Sequence, residues 1–148
     1  MKYSEKISNK LNELLTKNYD AEAGYKKAAD DVENQGLKSF FTARAKERYD
    51  FGHQLKNEIT SYGESPDKGT SLKGDVHRSW MDLKSAFSSD NEEAILEEAI
   101  RGEKAALEEY NEILSEPNLP PTTESILQVQ RDNVKSALDN VKRLETVD

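Results

Sequence analysis

The sequence predicts an all-α domain, a bundle of four long helices with one extended crossover between the second and the third. Three observations carry that expectation. Apolar residues recur at spacings of three and four through four stretches of about 25 residues each. Asn34-Gln35-Gly36 and the run Pro117 to Pro121 mark two short breaks, where the chain must reverse. Between Gly63 and Lys73 the composition turns instead to Gly, Ser, Pro and Asp, opening a connection of about 27 residues.

The first helix is expected from about Ser4, an N-cap residue type, to about Glu33, with Leu11, Leu15, Tyr25, Ala29 and Val32 on its inner face. Because the turn after it is short, the second helix, about 37–62, must run antiparallel to the first. It lays Leu37, Phe40, Phe41, Phe51, Leu55 and Ile59 along one face, interrupted by Arg44 and Glu47, and Gly63 closes it. In the crossover, Val76, Trp80, Leu83 and Phe87 keep helical spacing and suggest a short amphipathic helix over about 75–88, lying as a lid on the core. Asp90-x-x-Glu93 has the form of a capping box, so the third helix is expected over about 91–115. The fourth, opening at Thr122 or Thr123 and running over about 123–145, carries Leu127, Val134, Ala137, Val141 and Leu144 inward, with Gln130 in the same line.

Composition narrows the functional classes. The chain has 148 residues, 34% hydrophobic and 34% charged, one tryptophan, no cysteine and a formal net charge of -8. That is the size of one domain with a narrow core. An acidic balance argues against nucleic acid or an anionic membrane as partner, since both ask for basic patches. The start, MKYSEKISNKLNELL, is amphipathic and has no continuous apolar run, so neither an export signal nor a membrane span is expected and the expected location is cytoplasmic. Lack of cysteine accords with a reducing compartment and excludes disulfides and thiolate metal sites. No nucleophile elbow, phosphate loop or zinc spacing appears, and no spacing sets a serine or aspartate beside a histidine base.

Polar residues inside the apolar seams are the informative feature. Glu103 falls within the line Ile95, Ala99, Ala106, Tyr110, Ile113, where a charge is costly unless paired. Asn18 holds the equivalent position in the first helix, seven residues before Tyr25 as Glu103 stands seven before Tyr110. In the second half of each hairpin, Glu47-Arg48-x-Asp50-Phe51 matches Gln130-Arg131-x-Asn133-Val134. Each helix would then give one polar position to a common layer.

The segments Asn18-Tyr-Asp-Ala-Glu-Ala-Gly-Tyr25, Ala45-Lys-Glu-Arg48 and Arg101-Gly-Glu103 resemble the ferritin-like superfamily. Within it, the chain is similar to a bacterial four-helix-bundle family catalogued as a domain of unknown function. A connection of about 27 residues is what a return along the full bundle needs, so the second and third helices are expected to be parallel. The resemblance implies such a ferritin-like bundle and a link with stress or envelope physiology. Di-iron members carry a Glu on helices 1 and 3 and Glu-x-x-His on helices 2 and 4. Mapped onto this chain, those positions hold Asn18, Glu47-x-x-Asp50, Glu103 and Gln130-x-x-Asn133, so both histidines are absent and a working di-iron oxidase is not expected.

Two readings of the layer follow. In the first it is a hydrogen-bonded belt of Asn18, Tyr25, Tyr110, Gln130 and Asn133 around the carboxylates, with Arg44 or Arg48 balancing charge and no cofactor. In the second, Glu47, Asp50, Glu103 and Glu22 hold one divalent cation, with oxygen ligands suited to manganese, iron or calcium. His53, six residues after Glu47, is read as a solvated or tyrosine-adjacent side chain, and His77 has no partner visible in sequence. The acidic pairs Glu92-Glu93, Glu97-Glu98 and Glu108-Glu109 are read as solvated helix faces. The expectation is therefore a non-enzymatic bundle, open to homodimer formation along a helix face. Metal binding in iron handling or oxidant protection is the alternative, and an adaptor for a protein partner a third.

Overall fold

A computed structural model describes residues 3–66 and 92–147 of the chain. Within them lie four helices, α1 (Tyr3–Asp31), α2 (Gln35–Ser61), α3 (Glu92–Leu114) and α4 (Pro121–Val147). The expected helix over 75–88 with its Trp80 stripe, His77 and the Asp90 cap lie outside the described residues.

Local chemistry fixes the helix ends. Tyr3 is already helical, so Ser4 stands inside the first turn of α1 rather than at its cap. α1 stops at Asp31, two residues short of the expected end, and Lys38 of the next helix reaches back to donate to the Ala29 carbonyl at 2.6 Å. Such a contact satisfies a carbonyl that the last turn leaves open. Asn34, expected in the turn, is instead the N-cap of α2: its backbone is extended and its side chain accepts from the Leu37 amide at 3.0 Å. Gln35 and Gly36 therefore belong to the first turn of α2. At the other end Gly63, with φ 79°, turns the chain away in the left-handed region. α4 opens at Pro121, one or two residues earlier than expected, because proline at the first helical position loses no bond. Pro120 then accepts the Glu124 amide at 2.9 Å.

Contacts between helix ends give the directions. The Asn34 amide donates to Glu92 at 3.3 Å, which sets the start of α2 beside the start of α3, so these helices are parallel. Tyr3 donates to the Pro117 carbonyl at 2.7 Å, which makes α1 antiparallel to α3. Tyr62, just past α2, meets Thr123 in the first turn of α4. The end of α2 and the start of α3 thus lie at opposite ends of the bundle.

Two apolar clusters fill the interior. One gathers Ala21, Tyr25, Phe41, Ala45, Ile95, Leu96, Ala99 and Val141; the other gathers Leu11, Leu15, Phe51, Leu55, Ile59, Tyr110, Leu127 and Val134. Between them all four helices carry a buried polar residue at the same level: Asn18 between Leu15 and Ala21, Arg48 between Ala45 and Phe51, Glu103 between Ala99 and Tyr110, and Gln130 between Leu127 and Val134. None of the four is more than 3% exposed.

Two glycine substitutions should act in opposite directions. A Cβ at Gly52 would meet Leu15 Cδ1 at 3.6 Å and Tyr19 Cε1 at 3.9 Å, ordinary contact distances. Gly52→Ala is expected to stabilise the fold by about 0.5–1 kcal/mol, as alanine does in a helix interior. Gly63→Ala should cost about 1–2 kcal/mol, since a side chain is strained at that φ. Thermal melts followed by circular dichroism check both.

Candidate functional site

The buried layer is one continuous hydrogen-bonded network. Arg48, from the inner face of α2, donates through Nη1 to Asn18 Oδ1 on α1 at 2.7 Å and through Nη2 to Glu103 Oε1 on α3. The second carboxylate oxygen of Glu103 accepts from the Tyr25 hydroxyl at 2.7 Å. Asn18 Nδ2 donates to the Leu14 carbonyl at 2.9 Å and to the Tyr110 hydroxyl at 3.1 Å. Tyr110 in turn donates to Gln130 Oε1 on α4 at 2.6 Å. Gln130 Nε2 then returns to α2, donating to Gln54 Oε1 at 2.8 Å and to the Phe51 carbonyl at 3.3 Å.

Donors and acceptors match without conflict. Arg48 only donates, the Glu103 carboxylate only accepts, and each amide or hydroxyl between passes the polarity on. The seven-residue spacing is used crosswise. Tyr25 of α1 serves Glu103 of α3, and Tyr110 of α3 serves Asn18 of α1, because antiparallel helices set a residue of one opposite the residue two turns along the other.

The electrostatics follow from burial and from the ion pair. Burial raises the Tyr25 hydroxyl well above its ordinary value, and the Glu103 charge raises it further. Tyr110 is pushed up to about 12, chiefly by burial. Burial is the largest influence on Arg48 and opposes its charged form, yet Glu103, Tyr25 and Tyr110 together outweigh it and hold the guanidinium above its ordinary value. An ion pair so enclosed is strongly coupled, because little water screens it.

The structure brings Asn18, Tyr25, Glu103, Tyr110 and Gln130 together with Arg48, one of the two arginines expected to balance charge, and leaves Glu47, Asp50, Glu22, Asn133 and Arg44 outside the network. Glu47 is half-buried beside the layer and pairs with Arg44 at 3.7 Å. Burial raises its carboxyl, against the partial offset of Arg44 and Arg48. Asp50 is exposed and pairs with Lys46 at 3.6 Å; Glu22 pairs with Lys26 at 2.8 Å. Asn133 is half-buried and takes no part in the network. Arg44, expected as a possible balancing charge, balances Glu47 rather than Glu103 and lies 5.4 Å over the Phe40 ring. His53 is exposed, edge-on to Tyr49 at 4.6 Å.

The correction on α2 is one of phase. The expected seam included Phe40, seven residues before Glu47, which draws Glu47 inward, whereas the buried line runs Leu37, Phe41, Ala45, Arg48, Phe51, Leu55, Ile59. A sequence signal for Arg48 existed: the small residues Ala45 and Gly52 flank it by one turn on either side and leave room for a long side chain. Glu58 was missed altogether. It is 9% exposed and accepts from Thr123 and, at 3.3 Å, from Thr122, forming a second polar contact where α2 meets the start of α4.

This donor set does not fit a divalent ion. Iron or manganese asks for several anionic oxygens converging on one point, and here a guanidinium stands against Glu103, the carboxylate of the network. Among the described residues no three Asp, Glu or His side chains converge to hold a metal.

Residues 6–116 match the family model described as Domain of unknown function (DUF2383). No curated protein matches the sequence. Among solved structures, a mutant of Dps1 from Mycobacterium smegmatis superposes with a TM-score of 0.77 at 12% identity, over 98% of this chain and 99% of that one. The bacterioferritin-related protein from Bacteroides fragilis, described as a dodecameric thioferritin, gives 0.80 at 18% identity, over 97% of this chain and 86% of that one. The fold is that of ferritin-like four-helix bundles, with the third and second helices parallel.

Removing one member of the ion pair should be costly. Arg48→Met and Glu103→Gln are each expected to lose about 3–5 kcal/mol, since each leaves a buried charge unpaired. Glu47→Gln should hold or raise stability at neutral pH, because a carboxyl with a raised folded value costs stability once ionised. Urea titrations at pH 7 separate these outcomes.

Alkaline titration should show the tyrosines. With a folded value near 12 against an ordinary 10.0, Tyr110 contributes stability that is complete below pH 10 and lost as pH rises toward 12. Tyrosinate absorbance is expected to show Tyr25 and Tyr110 ionising late, together with loss of helix.

Proposed function

The chain belongs to the family described as domain of unknown function DUF2383, and within it we propose a non-enzymatic bundle whose core is a structural polar layer, at the level where the di-iron pattern of ferritin-like bundles would put ligands. The observation that carries this reading is the Arg48 guanidinium paired with Glu103 at the bundle centre. A protein that already holds a fixed positive charge there has its carboxylate balanced, and a second cation would meet repulsion.

Self-association is the mode of action that the reading favours. A structural neighbour is described as dodecameric, and closed symmetric assembly is the usual outcome for bundles that pair along a helix face. Among the described residues no helix is long and apolar enough to cross a membrane. A second reading, divalent metal binding in iron handling or oxidant protection, draws its support from the one neighbour described both as a thioferritin and as bacterioferritin-related.

One experiment decides between them. Protein purified without chelator is analysed for metal and melted with and without about 1 mM manganese or ferrous iron under argon. A site with a Kd of about 10 µM would stabilise by about 2.7 kcal/mol at that concentration. The structural reading expects neither bound metal nor a shift in melting temperature, while light scattering is expected to give a mass above that of one chain. A stoichiometric metal, or a shift abolished by Glu103→Gln, overturns it.

A further inference from the structure

We propose that the space around Arg48 is a binding site for a planar monocation of the guanidinium class, which in the intact protein is filled by the chain's own side chain; this deepens, and rests on, the structural reading of the layer. The geometry of the acceptors points to that ligand class. Glu103 Oε1 and Asn18 Oδ1 lie on two different helices and each accepts from a different Nη of one guanidinium. Two acceptors set for the two prongs of a flat fork suit a guanidinium, whereas an ammonium is a compact point charge with no such preference.

Charge agrees with shape. Glu103 brings one formal negative charge into a setting where Arg48 is 3% and Glu103 0% exposed. One positive charge neutralises it, whereas a divalent ion would leave an uncompensated buried charge. The surrounding groups are already engaged: Tyr25 donates to Glu103, Tyr110 to Gln130, and both Asn18 amide hydrogens are taken by Leu14 and Tyr110. Asn18 therefore cannot turn its amide over without breaking those bonds and presenting N–H groups to the cation, so its carbonyl oxygen is held toward the guanidinium. Selectivity in this site comes from positions fixed outside it.

The test is chemical rescue. Arg48→Ala removes the side chain beyond Cβ and leaves room for ethylguanidinium, which has the same atoms from Cγ outward. The variant is expected to melt roughly 10–20 °C lower than the parent. Ethylguanidinium at about 10 mM, far below the molar range in which guanidinium denatures, should recover several degrees, while propylammonium recovers less and manganese none. The parent should gain nothing from any of them, and rescue should vanish in Arg48→Ala/Glu103→Gln. Arg48→Lys, which keeps the charge but loses the fork, provides a readout if the alanine variant does not fold: a melting temperature clearly below the parent is expected. Equal stability of Arg48→Lys and parent, rescue by propylammonium equal to that by ethylguanidinium, rescue by manganese, or no rescue by any cation would each overturn the proposal. A metal-free parent with no guanidinium-selective rescue defeats this inference alone, whereas metal in the parent defeats the structural reading beneath it.

Discussion

The ion pair between Arg48 and Glu103 is the constraint that the interior answers to. Two charges enclosed among apolar side chains are tolerable only if each is paired and its remaining hydrogen-bonding capacity is met. That requirement recruits Tyr25 for the second carboxylate oxygen and Asn18 for the second guanidinium nitrogen. Asn18 then needs an acceptor for its amide, Tyr110 needs one for its hydroxyl, and Gln130 needs two for its own. A single buried charge pair thus specifies the identity of a residue on every helix.

Much of the fold was legible because the apolar period is sustained through four long stretches. The parallel course of α2 and α3 could be read from the length of the middle connection, which only a return along the bundle requires. Helix ends were less legible, since they turn on single bonds: Asn34 caps α2 where a turn was read, and Pro121 begins α4 where it had been taken to precede it. Both are standard roles for those residue types at helix starts.

The layer was legible in part. Asn18, Glu103, Tyr25, Tyr110 and Gln130 could be picked out because polar residues in an apolar line are conspicuous, and the doubled spacing of seven tied two helices together. On α2 that logic slipped by one residue, since Glu47 and Arg48 are neighbours in sequence and both are polar. The expected pattern of metal ligands pulled the reading toward the carboxylate, while the phase set by Ala45, Gly52 and Leu55 admits the arginine. One residue of phase exchanges a candidate ligand for a cation, which changes the chemistry of the centre altogether.

The crosswise use of the two tyrosines has a mechanical consequence. An all-apolar seam between α1 and α3 would be a smooth track, on which one hairpin could slide along the other by a turn of about 5.4 Å and still bury comparable surface. With Tyr25 locked to Glu103 and Tyr110 to Asn18, such a slide unlatches both ends at once. The layer behaves as a detent: it lets the two hairpins meet in any order during folding but permits them only one resting position.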